Sequence, residues 1–362
     1  MEYEKTKISS AQLLFLIAAF ILGSSLLTSF MDDIAKQDAW LSILSAFVVS
    51  IPFILSYVWL YKLFPGKNFA EVNDIVYGPY LGKAITALYA AVFFQLLIYN
   101  TYDMANFYVG FVMPGMPGPV FLIVTALTCA YTVHKGIETI ARTSLFVVAY
   151  FAVSITANTL LLSGHMDLSN FLPAFQLSAH DYVQSTHIFA ALPFCEAVVF
   201  VMVFPSLNDY KKAGRYAVGG LAVAALVLLI VVFRNTAVLG PSAALFTDTS
   251  YEAARLIDIG DVLTRIELFV AAGITVALFI KISVLYYATV TGISSLCRVR
   301  SPAALIIPVG IIAVVFALHP FASVASQHEN GSLYQPFFLM PFEVIPAFTV
   351  LIAKLRRLPE KR

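Results

Sequence analysis

Asp103, Glu196 and Lys281 stand deep inside long apolar stretches of this sequence. An ion there is costly unless it meets water, a counter-charge or a ligand, so each marks a candidate site. Two backbone features accompany them. Gly23-Ser24-Ser25 interrupts the first apolar stretch with residues that loosen a helix. Pro193, just before Glu196, removes a backbone donor. Bare N–H groups at Gly23, Ser24 and Ser25 suit a carboxylate, because a helix N-terminus adds positive dipole charge. Phe189, Ala190, Ala191, Leu192 and Phe194 flank that second break. The chemistry implied is the holding of a small molecule that bears a carboxylate. Plainer readings exist for each piece: small residues for close helix packing, and a proline kink with a glutamate satisfied by a neighbour. Two breaks at matching positions of two halves favour the binding site.

Gln95, Tyr99 and Asp103 follow one another at helical spacing and fall on one stripe. That stripe lines a pocket or a water path, or else Asp103 makes a structural hydrogen bond to a neighbouring helix. Lys281 needs a carboxylate, several carbonyls or a lowered pKa; the competing reading is that it snorkels to the interface. Glu138 and Arg142 read as an ordinary pair one helical turn apart. Glu343 lies between Pro341 and Pro346 in a kinked stretch and receives no role. The histidines and the cysteines (Cys129, Cys195, Cys297) show no ligand spacing, so no metal, disulfide or cofactor is expected. No nucleophile–base pair suggests an enzyme.

Membrane helices must position these residues. The 362 residues are 60% hydrophobic and 12% charged, far from the roughly 25% charged of a soluble domain. Ten spans are predicted, near 10–30, 39–62, 83–112, 118–134, 137–162, 186–205, 215–238, 262–292, 302–318 and 335–354. The connection 64–82 reads as an amphipathic surface segment, and 163–185 and 239–261 as longer outer loops with short helical patterns. Basic residues gather on one side: Lys5 and Lys7, Lys62 and Lys67, Lys135 and Arg142, Lys211 and Arg215, Arg298 and Arg300, and the C-terminal Lys354, Arg356 and Arg357. Both termini are therefore expected in the cytoplasm, with residues 1–9 a short tail rather than a removable signal. A net charge of +1 without a basic block gives no reason to expect nucleic acid. The chain reads as a single domain, 1–362, whose halves 10–162 and 186–354 insert in opposite senses.

This arrangement resembles the amino acid–polyamine–organocation transporter superfamily, an all-α fold of five-plus-five inverted helices with broken helices 1 and 6. The resemblance implies that the first break takes a substrate carboxylate and that the sixth-helix break takes its amino group on the carbonyls of Phe189, Ala190 and Ala191, with Leu192 and Phe194 shaping the side-chain pocket. Residues 189–196 match an aromatic-x-x-x-x-aromatic-x-Glu pattern, with Pro193 and Cys195 in place of more usual residues. In sodium-coupled relatives helices 1 and 8 hold the ion, and Lys281 is expected to occupy that place. A narrower resemblance covers nearly the whole chain. Gly136-Ile137-Glu138-Thr139-Ile140-Ala141-Arg142, Ile21-Leu22-Gly23 to Leu27, Val203-Phe204-Pro205 and Leu351-Ile352-Ala353-Lys354-Leu355-Arg356 are similar to B subunits of bacterial spore germinant receptors. That family implies a spore inner-membrane sensor of small nutrients, typically amino acids, with a larger A subunit and a C-subunit lipoprotein as partners.

The expected function is thus sensing of a small-molecule germinant between the first, third, sixth and eighth spans. A proton-coupled amino acid permease is the alternative, and a channel subunit a more distant one. A bulky residue at Gly23 is expected to abolish the response with folding intact.

Overall fold

In the computed structural model, residues 7–24, 34–257, 266–299 and 301–358 are described. Capping residues, glycines and prolines set the helix boundaries. Helix α1 (Ser10–Leu22) opens on a reciprocal cap: the Ser9 hydroxyl accepts from the Gln12 N–H at 3.1 Å, and the Gln12 side chain accepts from the Ser9 N–H at 2.8 Å. Helix α2 (Ala39–Leu63) is followed by the short amphipathic α3 (Phe69–Tyr77), capped in the same way by Asn68 and Glu71. Gly78, at φ 85°, turns the chain into Pro79, whose missing N–H is harmless at the first position of α4 (Pro79–Phe107). Gly136, at φ 91°, separates α5 (Gly118–Lys135) from α6 (Ile137–Leu161). Then come α7 (Ala179–Phe189), α8 (Ala213–Leu239), α9 (Thr249–Arg255), α10 (Glu267–Cys297), α11 (Ala303–Ala317), α12 (Val324–Glu329) and α13 (Gln335–Leu355).

Among the described residues, seven helical segments are long and apolar enough to cross a bilayer: Lys36–Leu63, Pro79–Val112, Ile137–Leu161, Ala179–Met202, Ala213–Leu245, Glu267–Cys297 and Ala325–Leu355. Helices α1 and α11 are apolar but shorter, and α5 has 18 residues. The apolar window of Ala179–Met202 is 89% buried against 33% for Ile137–Leu161, so the former is the central element and the latter peripheral. Helix α1 is central too: it packs against α6, α8 and α10 and buries residues on every side.

Several boundaries differ from the expected ones. The third span starts at Pro79 rather than 83, because glycine and proline permit a start there. The sixth begins at Ala179 rather than 186, where the Ser178 hydroxyl accepts from the Asp181 N–H at 3.1 Å. The eighth runs to Cys297, beyond 292. Ser25 and the rest of the first expected span, residues 25–30, lie outside the described residues.

Prolines inside membrane helices strand carbonyls one turn upstream, and tyrosines collect them. Pro346 leaves the Phe342 carbonyl without its helical donor, and the Tyr89 hydroxyl donates to it. The Tyr57 hydroxyl donates to the neighbouring Glu343 carbonyl at 2.9 Å. On the loop-bearing end, the Asp38 carboxylate accepts from the N–H groups of Phe175 and Gln176, each at 2.9 Å. There too, Asn235 receives the buried Arg234 guanidinium and donates to the hydroxyls of Thr249 and Ser250, tying α9 to the end of α8. Asp248 caps α9 through the Tyr251 N–H at 2.9 Å, and burial pushes its carboxyl up to about 6.

Candidate functional site

The helical path through Ala179–Met202 is interrupted in its middle. Helix α7 stops at Phe189, and Leu192 adopts φ −122° and ψ 103°, which no helix contains. Pro193 explains this locally, since it lacks an N–H and disfavours helical backbone at the residue before it. The chain resumes as a tight 3-10 run, Cys195–Met202, which carries Glu196. Helix α1 ends at Leu22, and Gly23 and Ser24 form a turn. The N–H groups of Gly23 and Ser24 donate back to Ala19, Phe20 and Ile21. In this conformation those amides are engaged, and the polar reach of the segment comes from the Ser24 hydroxyl.

That hydroxyl, Glu196 and Lys281 meet. The Lys281 Nζ donates to Glu196 Oε2 and to Ser24 Oγ, both at 2.5 Å, and Ser24 Oγ lies 3.4 Å from the same carboxylate oxygen. The Lys281 and Glu196 side chains are 0% and 1% exposed, so the pair is wholly removed from solvent. The Phe20 ring lies 5.5 Å from the ammonium and adds a cation–π contact. Lys281 thus neither snorkels nor relies on carbonyls alone: a carboxylate 85 residues away in sequence answers it. An ion pair so buried is net neutral and rigid, and removing either member strands a charge. Close approach makes the joint possible. A Cβ added at Gly23 would lie 2.7 Å from the Lys281 Cβ and 2.9 Å from the Ala277 carbonyl oxygen. The expectation that a bulky residue at Gly23 leaves folding intact is therefore corrected, because backbone stands in the way.

On the other side of Glu196 is a cavity of about 40 Å³. Leu96, Tyr99, Asn100 and Asp103 of α4 form one wall, and Leu192 and Glu196 another. The third wall is Phe321, Gln327, Asn330, Gly331 and Gln335. Asp103 Oδ1 accepts from the Gln327 amide at 2.7 Å. The Phe321 ring sits 4.7 Å from that of Tyr99 and 5.6 Å from that of Tyr102, covering this end. At roughly 10–15 Å³ per water centre the space admits a few waters, not an amino acid.

Of the expected residues, Tyr99, Asp103, Leu192 and Glu196 come together in this wall. Gln95 stands behind it, donating to the Tyr99 hydroxyl at 3.1 Å. Phe189, Ala190, Ala191 and Phe194 are buried nearby but outside the cavity lining, and Ser24 and Lys281 contact it only through Glu196. Sequence reasoning missed Asn100, although it lies on the same helical face, and missed the whole segment from Phe321 to Gln335. Glu343 is buried, and its Oε1 has no hydrogen-bond partner among the described residues.

Known proteins agree with this architecture. Residues 7–323 match the family model for spore germination proteins. Spore germination protein KB of Bacillus subtilis (strain 168) is 28% identical over 357 residues, covering 97% of this chain and 95% of that protein. Among solved structures, the nucleobase-cation-symport-1 family transporter MHP1, closed with bromovinylhydantoin bound, superposes with a TM-score of 0.74 at 13% identity, covering 98% of this chain and 81% of that one. MhsT in complex with L-phenylalanine superposes with a TM-score of 0.71 at 12% identity, covering 96% and 97%. Identities that low speak for the fold alone, which is shared with these membrane transporters. With a family match across most of its length and seven membrane-length helices, this chain belongs to the spore germination protein family and is a multi-pass membrane protein.

Proposed function

We propose that this chain is the membrane subunit that senses a small-molecule germinant, an amino acid, at a transporter-like site. The observation carrying this reading is the buried joint of Ser24, Glu196 and Lys281 beside a polar cavity. It links the end of α1, the interruption at Leu192 and α10, the elements whose relative motion would open the site. MHP1 and MhsT hold small molecules on the same fold, which supports a ligand here. In this reading the chain is a ten-helix, five-plus-five inverted repeat, 10–162 and 186–354, with helices 1 and 6 broken. Opening would bring Gly23, Ser24 and Ser25 to the ligand's carboxyl end, with Phe189, Ala190, Ala191, Leu192 and Phe194 around the rest. Lys281 takes the place of a coupling ion. Both termini face the cytoplasm of the spore inner membrane, and an A subunit and a C-subunit lipoprotein read the change in conformation.

Ligand binding shifts such an equilibrium only by its preference for one state. Thermal-shift measurements on the purified protein with each of the twenty common L-amino acids test the reading: a few should stabilise it, and stabilisation by none would refute it. The buried lysine–carboxylate pair also favours a second reading, a proton-coupled amino acid permease. Proteoliposomes separate the two, since a sensor binds labelled amino acid without accumulating it under a pH gradient.

A further inference from the structure

The cavity wall is chemically one-sided. Among the described residues it contains two carboxylates, Asp103 and Glu196, and no Lys, Arg or His side chain. Glu196 is already neutralised from behind by Lys281. Asp103 makes no ion pair among the described residues: its hydrogen-bond donor is the neutral amide of Gln327. A carboxylate inside a membrane protein with one neutral donor is an acceptor for a cation. The wall also contains an orphan of the opposite kind. Gln335 is 4% exposed, and its Nε2 has no hydrogen-bond partner among the described residues. Buried donors without acceptors are rare enough to call for a cause. One lining group thus lacks a cation and another lacks an acceptor, while Leu96, Leu192 and Phe321 supply apolar surface between them.

We propose that Asp103 and Gln335 are the polar anchors of the ligand, Asp103 receiving a primary ammonium and Gln335 donating to a carboxylate or carbonyl oxygen. This rests on the reading above that the cavity is the ligand site; it moves ammonium recognition from the carbonyls of residues 189–191 to a side chain on α4, and recognition of the acceptor end from residues 23–25 to Gln335. The ligand class is an amine that also bears an acceptor, with a modest apolar side chain; plain carboxylic acids are excluded by charge. The ligand's ammonium competes with the Gln327 amide for Asp103, so occupancy loosens the segment that closes the cavity. Recognition and opening share one contact.

The test uses the purified full chain in detergent and two probe series: primary alkylammonium ions from ethyl to hexyl, with the carboxylates of matching length, and the twenty L-amino acids. Wild type should bind alkylammonium ions at least about tenfold more tightly than the matching carboxylates. Asp103→Asn should erase that preference. Gln335→Leu should weaken amino acids about tenfold while leaving alkylammonium ions unchanged. Equal binding of amines and acids by wild type overturns the proposal without needing any variant. So does an amine preference that survives Asp103→Asn. If amino acids bind but Asp103→Asn leaves them unaffected, the anchor fails and the site stands. If amines bind through Asp103 and no amino acid does, the anchor stands and the amino acid reading fails.

Discussion

Replacing Lys281 by methionine removes the ammonium and keeps most of the side-chain volume. Glu196, 1% exposed and 2.5 Å from the lost nitrogen, is then left as a buried carboxylate with only Ser24 to answer it. Breaking one half of a buried pair in this way costs about 3–5 kcal/mol. Glu196→Gln strands the ammonium instead and should cost a similar amount. The double variant buries no ion and should recover most of the loss, because two neutral side chains need no compensation. Thermal unfolding of the four proteins in one detergent closes the cycle. Each single variant should melt about 5–10 °C below wild type, with the double variant above both. Additive losses, with the double variant the least stable, would refute the claim that the two charges answer each other.

Gly23→Ala places a methyl group 2.7 Å from the Lys281 Cβ and 2.9 Å from the Ala277 carbonyl oxygen, so α1 and α10 must part. It should cost about 1–3 kcal/mol in thermal unfolding, and a neutral result would show that the contact is loose. Tyr89→Phe withdraws the donor from the Phe342 carbonyl that Pro346 leaves free, at a cost of about 1–2 kcal/mol; an unchanged melting temperature would show another donor there. Asp248 gives a pH dependence. Burial raises its carboxyl from 3.8 to about 6, against the opposing nearby charge of Arg234. Between about pH 4 and 6 the folded chain keeps a proton that the unfolded chain releases, so this residue's contribution to stability falls as pH rises. Asp248→Asn keeps the cap and removes the titration. Its melting temperature relative to wild type should rise across that window by the equivalent of up to about 3 kcal/mol, and a flat difference would contradict the assignment.

Much of the architecture was legible because a bilayer leaves few options. Apolar runs of helical length announce themselves, and Pro193 announces an interruption because its missing N–H cannot be hidden. The end of α1 at Gly23 was readable for a similar reason. Pairing was not readable. Glu196 and Lys281 each stood out as costly ions, yet nothing local says that one answers the other, and carbonyls were an equally sound expectation for the lysine. Gln327 bonds to Asp103 across 224 residues and lies on the short helix α12, whose composition is unremarkable. The amides at Gly23 and Ser24 turn back on their own helix, a choice set by backbone geometry rather than by residue type. Residue cost could be read from the sequence; residue partnership required the fold.

The central claim is that the cavity beside Leu192 opens to hold the ligand. Equilibrium binding of the twenty L-amino acids to wild type and to Leu192→Trp, in which an indole fills the space, tests it most directly. Whichever amino acids bind wild type should be lost from a Leu192→Trp protein that still melts cooperatively. Undiminished binding by that variant would contradict it.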